Sequence, residues 1–115
     1  MSFTFEIKEQ NNISIISLSG KILSDENILN AILKINKHIE DSNSKLIFNC
    51  NNLSHINSTG INFFMKTLTK TRIHNGDLIL CGVSGNIESL FKITKLNEIY
   101  TIYNSEEEAI NHFKK

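Results

Sequence analysis

The sequence contains no proline and no tryptophan, only two cysteines and five glycines, and no excess of charge of either sign. Twelve Lys and Arg residues balance twelve Asp and Glu residues, and no basic block offers the field that holds a phosphodiester backbone. We therefore expect neither nucleic-acid binding nor attachment to a membrane through a basic patch. No apolar run approaches the ~20 residues of a membrane span, so direct membrane insertion is not expected.

The two cysteines and the amino-terminal segment further narrow the classes of protein to which the chain can belong. Cys50 and Cys81 each end a short apolar run, where a buried thiol behaves as a small hydrophobic residue. A disulfide or a metal site is the less favoured alternative, and without a nearby histidine pair we expect no metal and no cofactor. The first residues lack a basic stretch followed by an apolar one, which predicts no signal peptide and a cytoplasmic location.

The period of the apolar residues predicts the order of the secondary structure. The length fits a single domain, 1–115, and a period of two over residues 3–8 followed by an apolar run at 13–18 predicts a hairpin that ends at Gly20. Short apolar runs at 46–48, 78–80 and 99–103 predict three more strands. The polar stretch 49–57 and the pair Asn75-Gly76 predict turns, with Gly76 as a left-handed cap.

Apolar residues at helical spacing predict four helices, with start signals at Ser24 or Asp25, near Ser58, at Ser84 and in a capping box of Ser105 and Glu108. The first helix ends at residues 41–44. The apolar residues of the four helices are Ile28, Leu29, Ile32, Leu33 and Ile39; Ile61, Phe64, Met65 and Leu68; Ile87, Leu90, Phe91 and Thr94; and Ala109, Ile110 and Phe113. The order β-β-α-β-α-β-α-β-α predicts an α/β fold, in which a mixed sheet of one hairpin plus parallel strands carries about four helices.

The tetrapeptide Asn57-Ser58-Thr59-Gly60 is the candidate functional centre. It lies between the central strand, expected to end near Cys50, and the helix that begins near Ser58. Loops at the carboxyl ends of strands carry function in open α/β sheets, and a hydroxyl there lies beside unpaired N–H groups and the positive end of the helix dipole. The alternative is that Asn57 or Ser58 is only a helix N-cap.

The helix after this turn predicts an adjoining docking surface. If Ile61, Phe64, Met65 and Leu68 form the buried face, then at about 100° per residue Phe63 points to solvent beside Thr59 and Lys66. Asn62 and Lys70 flank it. An exposed aromatic residue suggests a protein-binding surface, the alternative being that Phe63 packs under a loop.

These motifs make the chain resemble a STAS domain, the fold of the anti-sigma factor antagonists of bacterial stress and sporulation pathways. The family pattern of a strand, Asp-Ser-Ser/Thr-Gly and an apolar helix is similar to residues 46–60, and the later family patterns resemble Val83-Ser84-Gly85, Leu90-Phe91, Leu96 and the stretch 105–109. Two positions depart from the pattern, since Asn57 replaces the family's acid and Asn62 replaces a common glycine.

The resemblance implies a non-enzymatic regulator that binds an anti-sigma factor that is also a serine kinase. In that family the unphosphorylated form binds the kinase and releases the sigma factor. By resemblance Ser58 is the phosphorylated residue and Thr59 a secondary site. We expect the chain to be a monomer or a weak homodimer. The partner-binding residues implied by the turn and the helix are Asn57, Ser58, Thr59, Asn62, Phe63 and Lys66.

Three other functions compete with this interpretation. Ser58 as an enzyme nucleophile with His55 as its base is disfavoured, because no acid orients His55; the histidines His38, His74 and His112 are expected to be solvated. A phosphoaspartate receiver needs a cluster of acids at strand ends, where this chain has asparagines at 49, 51 and 52. The third is a constitutive STAS subunit of a larger complex, a lipid-transport ABC system or a stress-sensing assembly, without phosphorylation.

Overall fold

The computed structural model describes residues 3–41 and 44–114. A short 3-10 helix, Leu96–Glu98, precedes the last strand. The strands are β1 (Phe3–Gln10), β2 (Ile13–Ile22), β3 (Lys45–Ile56), β4 (Asp77–Cys81) and β5 (Ile102–Tyr103), and the helices are α1 (Asp25–Glu40), α2 (Ser58–Ile73), α3 (Gly85–Ile93) and α4 (Glu106–Phe113). The predicted break after α1 includes Ser42 and Asn43, which lie outside the described residues.

The five strands form one mixed sheet in the order β1-β2-β3-β4-β5, which confirms the predicted fold class. β1 and β2 are antiparallel, and the later neighbours are parallel. Asn11 and Asn12 make the hairpin turn with φ values of 57° and 66°, a left-handed conformation that asparagine tolerates better than most residues.

Helices cover both faces of the sheet. The larger core contains Ile28 of α1, Phe64 of α2 and Ile87 of α3 around Phe48 of β3. Ala109 and Ile110 of α4 close a smaller core on the opposite face. Right-handed crossovers between parallel strands place the first three helices together and leave the second face to α4.

Two strands extend beyond their predicted ends. β2 continues past Gly20 to Ile22, and β3 continues through polar residues to Ile56, so the predictions of an end at Gly20 and a turn after Cys50 were wrong. The two strands pair with each other, Lys21 opposite His55 and Ile22 opposite Ile56, with irregularities after Ser17 and Gly20. Backbone pairing decides these ends because it satisfies the strand's N–H and C=O groups whatever the side chains are. The last strand is shorter than predicted.

The helix caps follow the predicted residues with two differences. Ser24 accepts a hydrogen bond from Asn27 N, and Ser105 from Glu108 N, but Glu108 Oε1 accepts from Asn104 N rather than from Ser105 N. Ser84 occupies the N-cap of α3 without a side-chain cap bond.

The turn after α2 uses its glycine for space. The left-handed residue is Asn75, with φ 67°, and not Gly76. A Cβ atom at Gly76 would lie 1.9 Å from the Ser44 carbonyl oxygen. The prediction that Gly76 is a left-handed cap was therefore wrong, and the glycine instead allows two backbone segments to lie in close contact.

Candidate functional site

Asn57 joins the start of α2 to the end of β2 by three hydrogen bonds. Its Oδ1 accepts from Thr59 N at 3.0 Å, which makes it the N-cap, and its Nδ2 donates to the Leu23 carbonyl at 2.9 Å. Its backbone N–H donates to the Ile22 carbonyl at 3.2 Å. An aspartate could accept the first bond but not donate the second, because a carboxylate has no donor. The departure from the family's acid therefore has a structural use in this chain.

Gly60 allows the first turn of α2 to lie against the ends of β2 and β3. A Cβ atom there would be 2.6 Å from Ile56 Cβ and 3.4 Å from Ile22 Cβ, and distances under 3 Å force a neighbour to move. Asn57 and Gly60 together fix the backbone of the turn from both sides.

Ser58, between these two fixed points, is exposed as the first residue of α2. Within the part of the chain that the structure describes, its hydroxyl makes no hydrogen bond. Thr59 is half-buried. The first turn of α2 contains no acidic residue, whereas α1 and α4 both begin with acids. The positive end of the α2 dipole is therefore not offset by a side chain and favours a negative group on Ser58.

Phe63 does not belong to a docking surface, and that prediction was wrong. Its side chain is 4% exposed, and its ring stacks on Phe48 with centroids 5.4 Å apart. The buried stripe of α2 is Gly60, Phe63, Phe64, Thr67, Leu68 and Thr71, while Ile61 and Met65 are half-buried.

Two buried threonines make this stripe hard to predict from hydrophobic periodicity. Thr67 donates its hydroxyl to the Phe63 carbonyl at 2.8 Å, and Thr71 donates to the Leu68 carbonyl at 2.8 Å. Both threonines are buried without an unpaired hydroxyl, which removes most of the cost of burying them. A pattern that counts threonine as polar keeps Phe64 and Leu68 but rotates the predicted buried face away from Phe63 and toward Ile61 and Met65.

The remaining predicted docking residues lie on exposed positions of α2. Asn62 and Lys66 are exposed, as expected. Lys70, which was placed beside them, donates to Glu40 Oε2 of α1 at 2.6 Å, and this hydrogen bond and the lysine's charge lower the pKa of the Glu40 carboxyl. The bond from Lys70 to Glu40 joins the ends of α2 and α1, and the bond from Asn57 to Leu23 joins their starts. The two helices therefore lie side by side and parallel.

Sequence reasoning missed two exposed leucines on α1. Leu29 and Leu33 were counted among the apolar residues at helical spacing, but they are 52% and 59% exposed. The adjacent pairs 28/29 and 32/33 were only a weak signal, because two neighbours about 100° apart are both buried where the covered face of the helix is wide, as Phe63 and Phe64 are on α2.

The histidines provide no base for Ser58. His55 lies on β3 rather than on a turn, and its ring nitrogens are engaged by Ser54 Oγ at 3.1 Å and Asn86 Nδ2 at 2.9 Å. The expectation of solvated histidines holds for His74, which is exposed. It is wrong for two others: His38 Nδ1 lies 3.2 Å from Glu9 Oε2, and His112 Nδ1 lies 2.9 Å from Tyr103 Oη, both half-buried.

Both cysteines are buried free thiols, as predicted. Burial raises the pKa of Cys81 to about 11 and raises that of Cys50 further. In residues 3–41 and 44–114, no group of three His, Cys, Asp or Glu side chains converges as a metal site. None of the helices in those two ranges could span a bilayer.

Comparison with known proteins agrees with this architecture, since the family model described as the STAS domain matches residues 4–109. The chain belongs to the STAS domain family. The anti-sigma-B factor antagonist of Staphylococcus aureus is 33% identical over 60 residues, which are 52% of this chain and 56% of that protein. The match thus spans about half the length of the curated relative.

Solved structures of other proteins share the fold at low identity. The Bacillus cell fate determinant SpoIIAA in its phosphorylated form has a TM-score of 0.77 at 21% identity, covering 96% of this chain and 99% of that one. The same protein was solved unphosphorylated, with a TM-score of 0.77 at 20% identity, covering 96% and 98%. A sulfate transporter family protein from Wolinella succinogenes also has a TM-score of 0.77, at 15% identity, covering 91% and 87%. The fold alone therefore does not distinguish an anti-sigma factor antagonist from a sulfate transporter family protein.

Proposed function

We propose that this STAS domain is an anti-sigma factor antagonist. In this proposal it binds an anti-sigma factor that is also a serine kinase, and phosphorylation of Ser58 switches that binding off. The observation that carries the proposal is the exposed, unengaged hydroxyl of Ser58 on a turn that Asn57 and Gly60 hold in place. The relative in S. aureus, whose name is anti-sigma-B factor antagonist, supports the same function.

The setting of Ser58 suits a group that is modified while the domain stays folded. A phosphoserine adds about −1.5 to −2 charges at neutral pH. At the first turn of a helix without acids, that charge is favourable by roughly 0.3–1 kcal/mol. The phosphorylated domain is therefore expected to be as stable as the unmodified one.

The same negative charge that is favourable for the folded helix is unfavourable for binding to the partner. A phosphate within a docked interface has to lose its water or meet like charge, which costs several kcal/mol, on the order of 2–5. The predicted contact residues around it are Asn57, Thr59, Asn62 and Lys66, without the buried Phe63. A modification that leaves folding unchanged can thus prevent association.

The second candidate is a constitutive STAS subunit of a larger complex. The observation that favours it is the double use of Asn57, whose amide is engaged by Thr59 and Leu23 and leaves no acid beside Ser58 for a kinase to recognise. In that case the turn is a permanent contact and is never phosphorylated.

Two measurements separate these functions. Mass spectrometry of the protein purified from its own cells, with and without stress, is expected to find a phosphate on Ser58 in one condition. Calorimetric titration of an anti-sigma factor kinase from the same genome is expected to show binding by wild type and Ser58→Ala and a loss of at least tenfold for Ser58→Asp.

The control is Thr59→Ala, which removes the neighbouring hydroxyl and should leave the effect of Ser58→Asp unchanged. Melting temperatures should agree among all variants. Binding of Ser58→Asp at wild-type affinity contradicts the switch. A stable complex isolated from cells with no phosphate on Ser58 in any condition favours the constitutive subunit.

A further inference from the structure

The outer face of α1 carries a short apolar stripe between opposite charges. Ile28, Ala31, Ile35 and Ile39 face the core and are buried. Glu26, Leu29, Leu33 and Lys37 follow one another on the outward side at spacings of three and four residues, and all four are exposed. Two leucines more than half exposed on adjacent turns form an apolar surface that the described part of the chain does not cover.

The charges at the two ends of this stripe are available for contacts with another molecule. Glu26 makes no ion pair within the described residues. Lys37 Nζ lies 3.8 Å from Asp41 Oδ2, with the lysine side chain 78% exposed. An exposed pair of this length contributes little and is easily exchanged for a better partner.

The order of these residues is self-complementary. When two copies of α1 are laid antiparallel about a two-fold axis near residue 31, Leu29 of each copy lies opposite Leu33 of the other. Glu26 of each copy then lies opposite Lys37 of the other. An isologous interface requires this kind of match, in which one patch pairs with itself. We propose that the outer face of α1 is a homodimer interface, with the leucines at its centre and two Glu26–Lys37 ion pairs at its rim.

The size of the surface sets the strength of the association. A helix of 16 residues is ~24 Å long, and its outer face covers less than the ~800 Å² per partner of a standard interface. The dimer is therefore weak and depends on protein concentration. It lies beside the docking site rather than on it, because α1 and α2 are neighbours joined at both ends, from Asn57 to Leu23 and from Lys70 to Glu40.

Sedimentation equilibrium of the purified chain, from micromolar to millimolar concentration, tests the interface. The wild type is expected to show a reversible monomer–dimer equilibrium. Leu29→Ala and Leu33→Ala should each weaken it by about tenfold, the effect of a lost central contact. Ile93→Ala is the matched control, since Ile93 is a 79% exposed aliphatic residue on α3, and it should leave the equilibrium unchanged. Melting temperatures confirm that each variant is folded.

A charge exchange tests the antiparallel arrangement. Glu26→Lys alone and Lys37→Glu alone each place like charges together twice per dimer, and each should weaken association several-fold at low salt. The double variant Glu26→Lys/Lys37→Glu should restore it, and so should an equimolar mixture of the two single variants. A chain that stays monomeric throughout overturns the proposal and leaves this face to a different protein. A dimer that the leucine and charge variants do not affect also overturns it and places the contact elsewhere, for example on the outer edge of β1.

Discussion

The helices α1 and α2 have the same length and lie parallel on one face of the sheet, yet they differ in how they place adjacent large apolar residues. α2 buries Phe63 and Phe64 against Phe48 of the central strand. α1 leaves Leu29 and Leu33 in solvent. Each helix is anchored to the other at both ends, so the difference does not come from the length or the direction of the helices.

The difference comes from the position of each helix in its layer. α2 lies between α1 and α3, with Lys70 bonded to Glu40 on one side and Phe64 against the Phe91 ring on the other, so it has a neighbouring helix on each side. α1 lies over β1 and β2 at the edge of the layer, and nothing in the described residues covers its outer side. The identity of a side chain therefore says less about burial than the number of elements around its helix.

The largest expected loss of stability comes from truncating a large buried side chain of α2. Phe63→Ala should lower the free energy of unfolding by ~3–5 kcal/mol, because it leaves a cavity against Phe48 and Phe64. Urea denaturation measures it. Leu33→Ala on α1 is the matched control and should change stability by less than ~0.5 kcal/mol. Equal losses from the two substitutions would remove the contrast between the helices.

Gly60→Ala tests the close approach at the start of α2. Alanine favours a helix over glycine by about 1 kcal/mol, but here its Cβ would meet Ile56 Cβ at 2.6 Å. We expect a net loss of ~1–3 kcal/mol from the forced shift. Asn62→Ala, at an exposed position two residues later in the same helix, should be neutral or slightly stabilising. A stabilised Gly60→Ala variant would show that the turn has room to relax.

Asn57→Ala and Asn57→Asp separate the two hydrogen bonds of the cap. Alanine loses both the bond to Thr59 N and the bond to the Leu23 carbonyl and should cost ~1–2 kcal/mol. Aspartate keeps the first bond only and should fall between alanine and wild type at neutral pH. Thermal unfolding measures the order. An aspartate variant more stable than wild type would mean that the bond to Leu23 contributes little.

Tyr100 lies on the side of α2 away from α1. Its ionisation is expected to have the smallest effect on the free energy of unfolding at neutral pH and a growing effect at alkaline pH. Its hydroxyl donates to Met65 Sδ at 3.5 Å, and burial raises the pKa of Tyr100 above its ordinary value. The unfolded phenol ionises first, near pH 10, so the stability present below that pH is lost as the pH rises further. Cys81, whose pKa is raised to about 11, adds a loss of the same sign.

The variant Tyr100→Phe keeps the ring and removes the ionising proton. Urea unfolding at several pH values between neutral and strongly alkaline should show a flatter decline for it than for wild type. An identical decline in both proteins would assign the loss to other groups, the two thiols first.

Local signals predicted most of the fold correctly. The hairpin of β1 and β2, the caps at Ser24 and Ser105 and the changes of apolar period follow from interactions within a few residues. The ends of β2 and β3 were not predictable in this way, because each is completed by hydrogen bonds to the other strand. That residues 57–60 form the functional site stays a prediction. What the structure shows there is the expected helix start with a cap at Asn57, which is also a local feature.

The faces of the helices required the tertiary structure. Phe63 is buried and Leu29 is exposed because of which elements surround α2 and α1. Each residue belongs to an adjacent apolar pair, so the local pattern does not separate the two cases. The same holds for the second bond of Asn57, which reaches Leu23 across 34 residues. The sequence by itself determined the order of the elements, the family and the place of the turn, because these depend on short-range chemistry. Only the tertiary structure decided which surfaces remain open to a partner, because burial depends on contacts between segments distant in the chain.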